Sequence, residues 1–387
     1  MSRRTIGMLI FFGIFFTVYG LVNAYIFIRG WQAIPPGTVA RGVYSAVFLT
    51  LALSFIAGRF LERAWFSAVS ETFVWIGSFW LAAMLYFFLA VLVLDVLRLL
   101  NFLIPFFPAW ITADYTMAKE RTAFVVMSAV VLILLGGHIN AWLPNITSLT
   151  LAVPKQVQGL KSMNIVAVSD IHLGTIIGRG RLKSLVEKVN SFRPDLILLV
   201  GDIVDEDLGP VVRENLGAML TELTARYGVL AVTGNHEYIG GADEACAYLT
   251  AHGVVMLRDS VVRLENGVAI VGREDRSIGQ FAHQKRKPLE ELMAVVDKRF
   301  PVILMDHQPF HLDEAVRQGI DLQLSGHTHH GQLWPFNFIT KAIYEISRGY
   351  EQRGGTHFYV STGFGTWGPP VRTGNRPEIV HIMMKFE

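Results

Sequence analysis

The chain has 387 residues, 52% of them hydrophobic and only 17% charged, which is too apolar for an ordinary soluble protein. Charge divides unevenly: nine Lys/Arg against five Asp/Glu precede Pro144, and 25 against 27 follow it. The second half therefore lacks the basic excess of a phosphate-backbone binder, and nucleic acid is disfavoured as a partner.

Four apolar stretches approach the roughly 20 residues that cross a bilayer. They run over Thr5–Ile28, Gly42–Ala57, Thr72–Leu94 and Thr122–Ile139, the second being short. Trp31, Trp65, Trp110 and Trp142 fall near their ends, as interfacial aromatic belts do. Ser2-Arg3-Arg4 faintly resembles a twin-arginine leader, but the length of the first run and the three that follow favour a retained span. An even number of spans puts the N-terminus and the second half on one side. Six basic residues on that side against five opposite give only a slight cytoplasmic lean. Asp95, close to Arg98, is the one acid near a span core, and intramembrane charge of that scarcity reads as an anchor and not as an ion pathway. The expected organisation is a membrane bundle over residues 1–143 and a catalytic domain over residues 144–387.

Beyond Asn145 the pattern turns globular, with short apolar runs separated by helical stretches. Five of these runs end in polar side chains able to bind metals or move protons. Ile165–Val168 precedes Asp170 and His172, and Leu196–Val200 precedes Asp202 and Asp205. Val229–Val232 precedes Asn235, His236 and Glu237. Val302–Met305 precedes Asp306 and His307, and Leu322–Leu324 precedes His327, His329 and His330. In open α/β sheets the functional crevice lies at the carboxyl ends of the strands. Glycines before Asp202, Asn235 and His327 are expected to permit the tight turns that aim these groups into one cleft. Cys246, the single cysteine, is expected to pack on a helix.

Asp170-x-His172, Gly201-Asp202-x-x-Asp205, Gly234-Asn235-His236-Glu237, His307 and Gly326-His327-x-His329 resemble, in order and approximate spacing, the calcineurin-like metallophosphoesterase family. The runs SDIHLG, LSGHTHHGQ and STGFGTWGPPVR look like its bacterial YkuE/YaeI-type branch, and the resemblance covers roughly Met163 to Phe386. It implies an α/β/β/α metallophosphoesterase sandwich beside the transmembrane α-helical bundle, and a bacterial cytoplasmic (inner) membrane location. It also implies that Asp170, His172, Asp202 and His329 hold one divalent ion and that Asp202, Asn235, His307 and His327 hold a second. A hydroxide shared by the two ions would attack phosphorus, and His236 would protonate the leaving oxygen. The mixed imidazole, carboxylate and amide donors suit Mn²⁺ first, with Fe, Zn²⁺ or Co²⁺ as alternatives.

Around this core, Asp205 and Asp306 either orient ligands or solvate loops, Glu237 supports a turn, and His330 fills a loop. Arg273, Arg276, Lys285, Arg286 and Lys287 form a basic cluster that is either a solvated loop or a guide for an anionic substrate or lipid headgroup. The apolar stretch Trp334–Tyr350 is expected to flank the cleft, touching membrane, gripping an acyl chain or packing on a sheet edge. Some family relatives cleave the pyrophosphate of a nucleotide-activated lipid A precursor. From the membrane anchor and the aromatic stretch, the expected substrate is a phosphodiester or pyrophosphate of a lipid-linked molecule. A tethered enzyme acting on a soluble nucleotide or small phosphoester, and a non-catalytic membrane scaffold, are the alternatives.

Overall fold

A computed structural model describes residues 3–157 and 159–387; Ser2 of the leader-like motif lies outside them. The chain divides into two compact units, residues 1–136 and 137–387.

The first unit is built from helices α1 (Arg3–Ala33), α2 (Val39–Ala64), α3 (Ala68–Leu103) and most of α4 (Tyr115–Ala141). Each is long and apolar enough to cross a membrane. The second span, read as short from its central run, is 26 residues, because Arg41, Arg59 and Glu62 fall inside the helix and not at its ends. Ile26, Phe48, Trp80 and Val130 meet in the interior of this unit. Two polar pairs lie there: Trp80 Nε1 donates to Asn23 Oδ1 at 3.0 Å, and the Tyr19 hydroxyl donates to the Ala52 carbonyl. Asp95 is held by Arg29 across the helices at 2.7 Å, by Arg98 at 3.2 Å and by the Tyr25 hydroxyl at 2.6 Å. A carboxylate paired with two guanidiniums and a hydroxyl donor is a structural clasp.

The second unit stacks two six-stranded sheets. Its strands are β1 (Asn145–Val153), β2 (Ser162–Val168), β3 (Leu196–Val200), β4 (Val229–Val232), β5 (Val254–Met256), β6 (Ser260–Arg263), β7 (Ala269–Gly272), β8 (Val302–Met305), β9 (Leu322–Ser325), β10 (Gly349–Arg353), β11 (Thr356–Val360) and β12 (Glu378–Phe386). One sheet runs β1-β12-β2-β3-β4-β5 and the other β10-β11-β9-β8-β7-β6. The central strands β2, β3 and β4 are parallel, as are β7, β8 and β9.

Successive strand side chains point to opposite faces, and here both faces are covered. Leu196, Leu198 and Val200 of β3 therefore enter the core between the sheets with Ile303, Met305 and Leu324. Ile197 and Leu199 enter an outer core with Leu182, Leu185 and Val189 of helix α5 (Arg179–Ser191). A third core backs the second sheet, around Val271, Leu304 and Leu312. This is the α/β/β/α sandwich. Its consequence for function is that β2, β3 and β4 of one sheet and β8 and β9 of the other each end at a polar loop of the same site.

Candidate metal centre

Asp170, His172, Asp202, His327 and His329 all adopt positive φ, between 43° and 69°. Side chains other than glycine and asparagine rarely tolerate that region, so the turns are held by the contacts around them. His172 N–H donates to the Asp202 carbonyl, Asp170 N–H to Gly201, and Gly365 N–H to Asp170. Of the three glycines expected to permit turns, only Gly201 has a left-handed φ, of 80°. Gly234 and Gly326 serve by lacking a side chain: a Cβ on either would run into the Asp202 or the Asp170 carboxylate.

Two groups of donor atoms converge. In the first, His172 Nε2 lies 3.0 Å from His329 Nε2, which is 3.4 Å from Asp170 Oδ1. In the second, His307 Nε2 lies 3.1 Å from Asp202 Oδ2, and His327 Nδ1 lies 2.7 Å from Asn235 Oδ1. Asp202 Oδ2 also reaches within 3.9 Å of His172 Nε2, so its carboxylate belongs to both groups. Asp170–His172–His329 and Asp202–His307–His327 can each hold a metal ion. All seven ligand candidates of the sequence are thereby brought together.

The donors fit divalent cations. The His307 Nδ1 proton has one acceptor, the Val200 carbonyl at 2.7 Å, which leaves Nε2 directed at the Asp202 carboxylate. Nε2 facing a carboxylate calls for positive charge between them, a proton or a metal ion: burial disfavours the His307 cation, but the Asp202 carboxylate outweighs it and raises the group well above its ordinary pKa. A backbone carbonyl on the far nitrogen is the usual orientation of a ligating histidine. Metal–nitrogen bonds of about 2.1 Å set neighbouring donors roughly 3 Å apart, the spacing seen here. Burial and the nearby His172 and Arg372 charges push His329 well below its ordinary pKa, and burial and His307 push His327 down. Both thus favour the neutral ligand form.

His236 sits at the edge of the centre. Its Nδ1 lies 3.1 Å from Asp205 Oδ1, which is also 3.6 Å from His172 Nδ1. Burial disfavours the His236 cation, but the Asp202 and Asp205 carboxylates outweigh it and raise the group to about 9. Asp205 therefore orients His236, with His172 Nδ1 nearby but beyond hydrogen-bond distance, and is no mere loop solvator. Glu237 is buried and accepts from four backbone amides: Asp202 at 3.1 Å, Ile203 at 2.7 Å, Val204 at 2.9 Å and Gly234 at 2.7 Å. It ties the loops after β3 and β4 together.

Other expectations resolve at the periphery. Asp306 accepts from Arg273 at 3.2 Å and Arg286 at 2.9 Å, and Arg273 also meets Glu314 at 3.0 Å. Two of the five members of the basic cluster are thus internal counter-ions, while Arg276, Lys285 and Lys287 are exposed. His330 is buried, with Nδ1 3.0 Å from Ser347 Oγ, and Cys246 is buried on helix α6 (Ala242–Ala251).

One residue was missed. Arg372 is completely buried and approaches His329 Nδ1 at 3.1 Å. Its guanidinium also donates to the Thr362 and Gly365 carbonyls and to Asn375 Oδ1. The loop that carries it, 370–376, grips the last turn of α4. Arg372 N–H donates to Gly137, His138 Nδ1 is 2.7 Å from the Pro370 carbonyl, and Asn140 Nδ2 donates to the Arg372 and Asn375 carbonyls. A lone arginine in the Gly-Pro-rich run Gly368–Arg372 was the available signal.

A two-sheet sandwich with seven donors clustered at its strand ends defines a metal-dependent phosphoester hydrolase, and the comparisons agree. The calcineurin-like phosphoesterase family matches residues 163–331. An uncharacterized metallophosphoesterase of Aquifex aeolicus is 32% identical over 257 residues, 65% of this chain and 97% of that one. One from Campylobacter jejuni is 30% identical over 97% of this chain and 98% of its own. A Bos taurus transmembrane protein with metallophosphoesterase domain is 32% identical over 68% of this chain, which spans 62% of that relative's length. The chain belongs to the calcineurin-like metallophosphoesterase family.

Proposed function

We propose that this protein hydrolyses a phosphodiester or pyrophosphate bond in a lipid-linked substrate at the membrane. Asp170, His172, Asp202 and His329 would hold one divalent ion, and Asp202, Asn235, His307 and His327 the second, with Mn²⁺ as the first candidate. Two such ions supply Lewis acidity and activate water for attack on phosphorus. The protein's own groups do the rest. Asp205 fixes His236 through Nδ1, so that Nε2 faces the cleft to donate to a phosphate oxygen and protonate the leaving group. His307 is oriented by the Val200 carbonyl, and Glu237 keeps the loops that carry Asp202 and Asn235 in register through the Asp202 and Gly234 amides.

The observation that carries the hydrolytic reading is the meeting of donors from five strand ends at one centre, with Asp202 common to both groups. The lipid-linked substrate is supported by the four membrane-length helices and by the exposed apolar residues Trp334, Phe338 and Trp367 on the catalytic unit. The test is turnover by the full-length protein in Mn²⁺, on a chromogenic diester, lipid pyrophosphates and soluble nucleotides, before and after EDTA. The expected result is EDTA-sensitive hydrolysis of lipid substrates. Strong turnover of nucleotides with none of lipids would refute the lipid assignment. Absence of metal-dependent hydrolysis on every substrate would refute the chemistry.

A further inference from the structure

Immediately after the last metal motif the chain forms helix α7, Phe336–Ile343, none of whose residues is buried. At 100° per residue its side chains segregate. Phe336, Phe338, Ile339 and Ile343 share one half of the surface, and Asn337, Thr340 and Lys341 share the other. In a water-facing helix the apolar half is the one turned to the core. Here it is the exposed half: Phe338, Ile339 and Ile343 are 60, 54 and 57% exposed. Eight residues are too few for a helix to persist on its own propensity, so this one is held in place with its greasy face outward.

What lies next to it identifies the occupant. Trp334, at the foot of α7 and 52% exposed, donates its backbone N–H to Thr373 Oγ1 at 2.9 Å. Thr373 and Gly374 in turn donate to the Gln332 carbonyl. Loop 370–376 therefore joins α7 on one side to the last turn of α4, Gly137–Ala141, on the other. That turn is where the last membrane-length helix ends, beside Trp142, so one loop holds both the foot of α7 and the end of that helix. Gln332 also binds the backbone of Trp367, which is exposed and whose ring is 6.0 Å from that of His236, so the same loop network ties the foot of α7 to the cleft. Lys341 and Arg348 are exposed and complement the phosphates of lipid headgroups.

We propose that α7, with Trp334 and Trp367, is a monotopic membrane contact. It lies in the interfacial plane of a lipid bilayer, with the mouth of the metal centre at headgroup level. An amphipathic helix with aromatic and aliphatic side chains on one face and a cation on the other is suited to that plane. The contact is independent of which phosphoester is cleaved.

The test places a spin label at Phe338→Cys, or separately at Ile339→Cys, in a Cys246→Ala background. The full-length protein is reconstituted in phosphatidylethanolamine/phosphatidylglycerol vesicles. A Val295→Cys label, at a site 79% exposed on the same unit, is the aqueous reference. Relaxation by oxygen and by a water-soluble nickel chelate is measured for each. Labels at Phe338 and Ile339 are expected to be several-fold more accessible to oxygen and several-fold less accessible to nickel than the Val295 label. Equal nickel accessibility at all three sites would overturn the proposal. So would dipolar broadening confined to the α7 labels, which would assign the face to a second copy of the chain. Neither readout needs turnover, so failure here is distinct from failure of the hydrolytic reading.

Discussion

Glu237→Gln isolates the contribution of a residue that touches no substrate. The change keeps shape and removes charge. Glu237 Oε1 accepts from Ile203 and Val204, and Oε2 from Asp202 and Gly234. A glutamine carbonyl serves only one of these pairs, and its NH₂ meets two amide donors on the other. Hydrogen bonds to a charged group contribute about 1.5–3 kcal/mol each, so losing two costs about 3–6 kcal/mol. That is a large part of the 5–15 kcal/mol typical of a domain. In a domain of some 150–250 residues each kcal/mol moves the midpoint about 2–4 °C, which predicts a fall of at least about 6 °C. The assay is thermal unfolding of the full-length protein in detergent, followed by intrinsic fluorescence, with bound metal measured in parallel. Metal affinity should fall about 10–100-fold, as for other changes behind a ligand. A midpoint within about 2 °C of wild type, with full metal content, would refute the idea that this carboxylate holds the two loops together.

Three further outcomes follow from the same geometry. His236→Gln should lower kcat about 10²–10⁴-fold while elemental analysis finds metal content unchanged; metal loss would instead make His236 a ligand. Asp202→Ala should abolish binding of both ions, whereas Asp170→Ala and Asn235→Ala should each leave one, as read by metal content per chain. Arg372→Met should destabilise by about 3 kcal/mol or more, since it strips several carbonyls of their buried donor. It should also weaken the site containing His329 more than the site containing His307, as two-step metal titration would resolve.

The site was legible where its chemistry sits on local signals. Apolar runs such as Leu196–Val200 and Val302–Met305 end abruptly in acids, amides or imidazoles, and those strand ends stand where the sequence puts them. Pairing was not legible. Nothing local in Glu378–Phe386 says that it inserts between β1 and β2, parallel to one and antiparallel to the other. Net charge along the basic cluster ignores partners elsewhere in the chain: Asp306, twenty residues from Arg286, pairs with two of its five cations. Arg372 escaped for the same reason, since its role depends on His329, 43 positions away. The glycine signals were right in place and partly wrong in cause, because a missing Cβ and a left-handed φ look alike in a sequence.

The grip of loop 370–376 on Gly137–Ala141 bears on where the catalytic half can be cut. A fragment starting at 144 would strand the Arg372 amide and the Pro370 side of the loop, and would remove the Ala141 carbonyl that receives the buried Arg181 guanidinium. Loosening that loop frees the arginine against His329, so damage would surface at the metal centre and masquerade as a catalytic defect. A soluble fragment for crystallisation or calorimetry should therefore keep the final helical turn, with polar substitutions on its outward side chains.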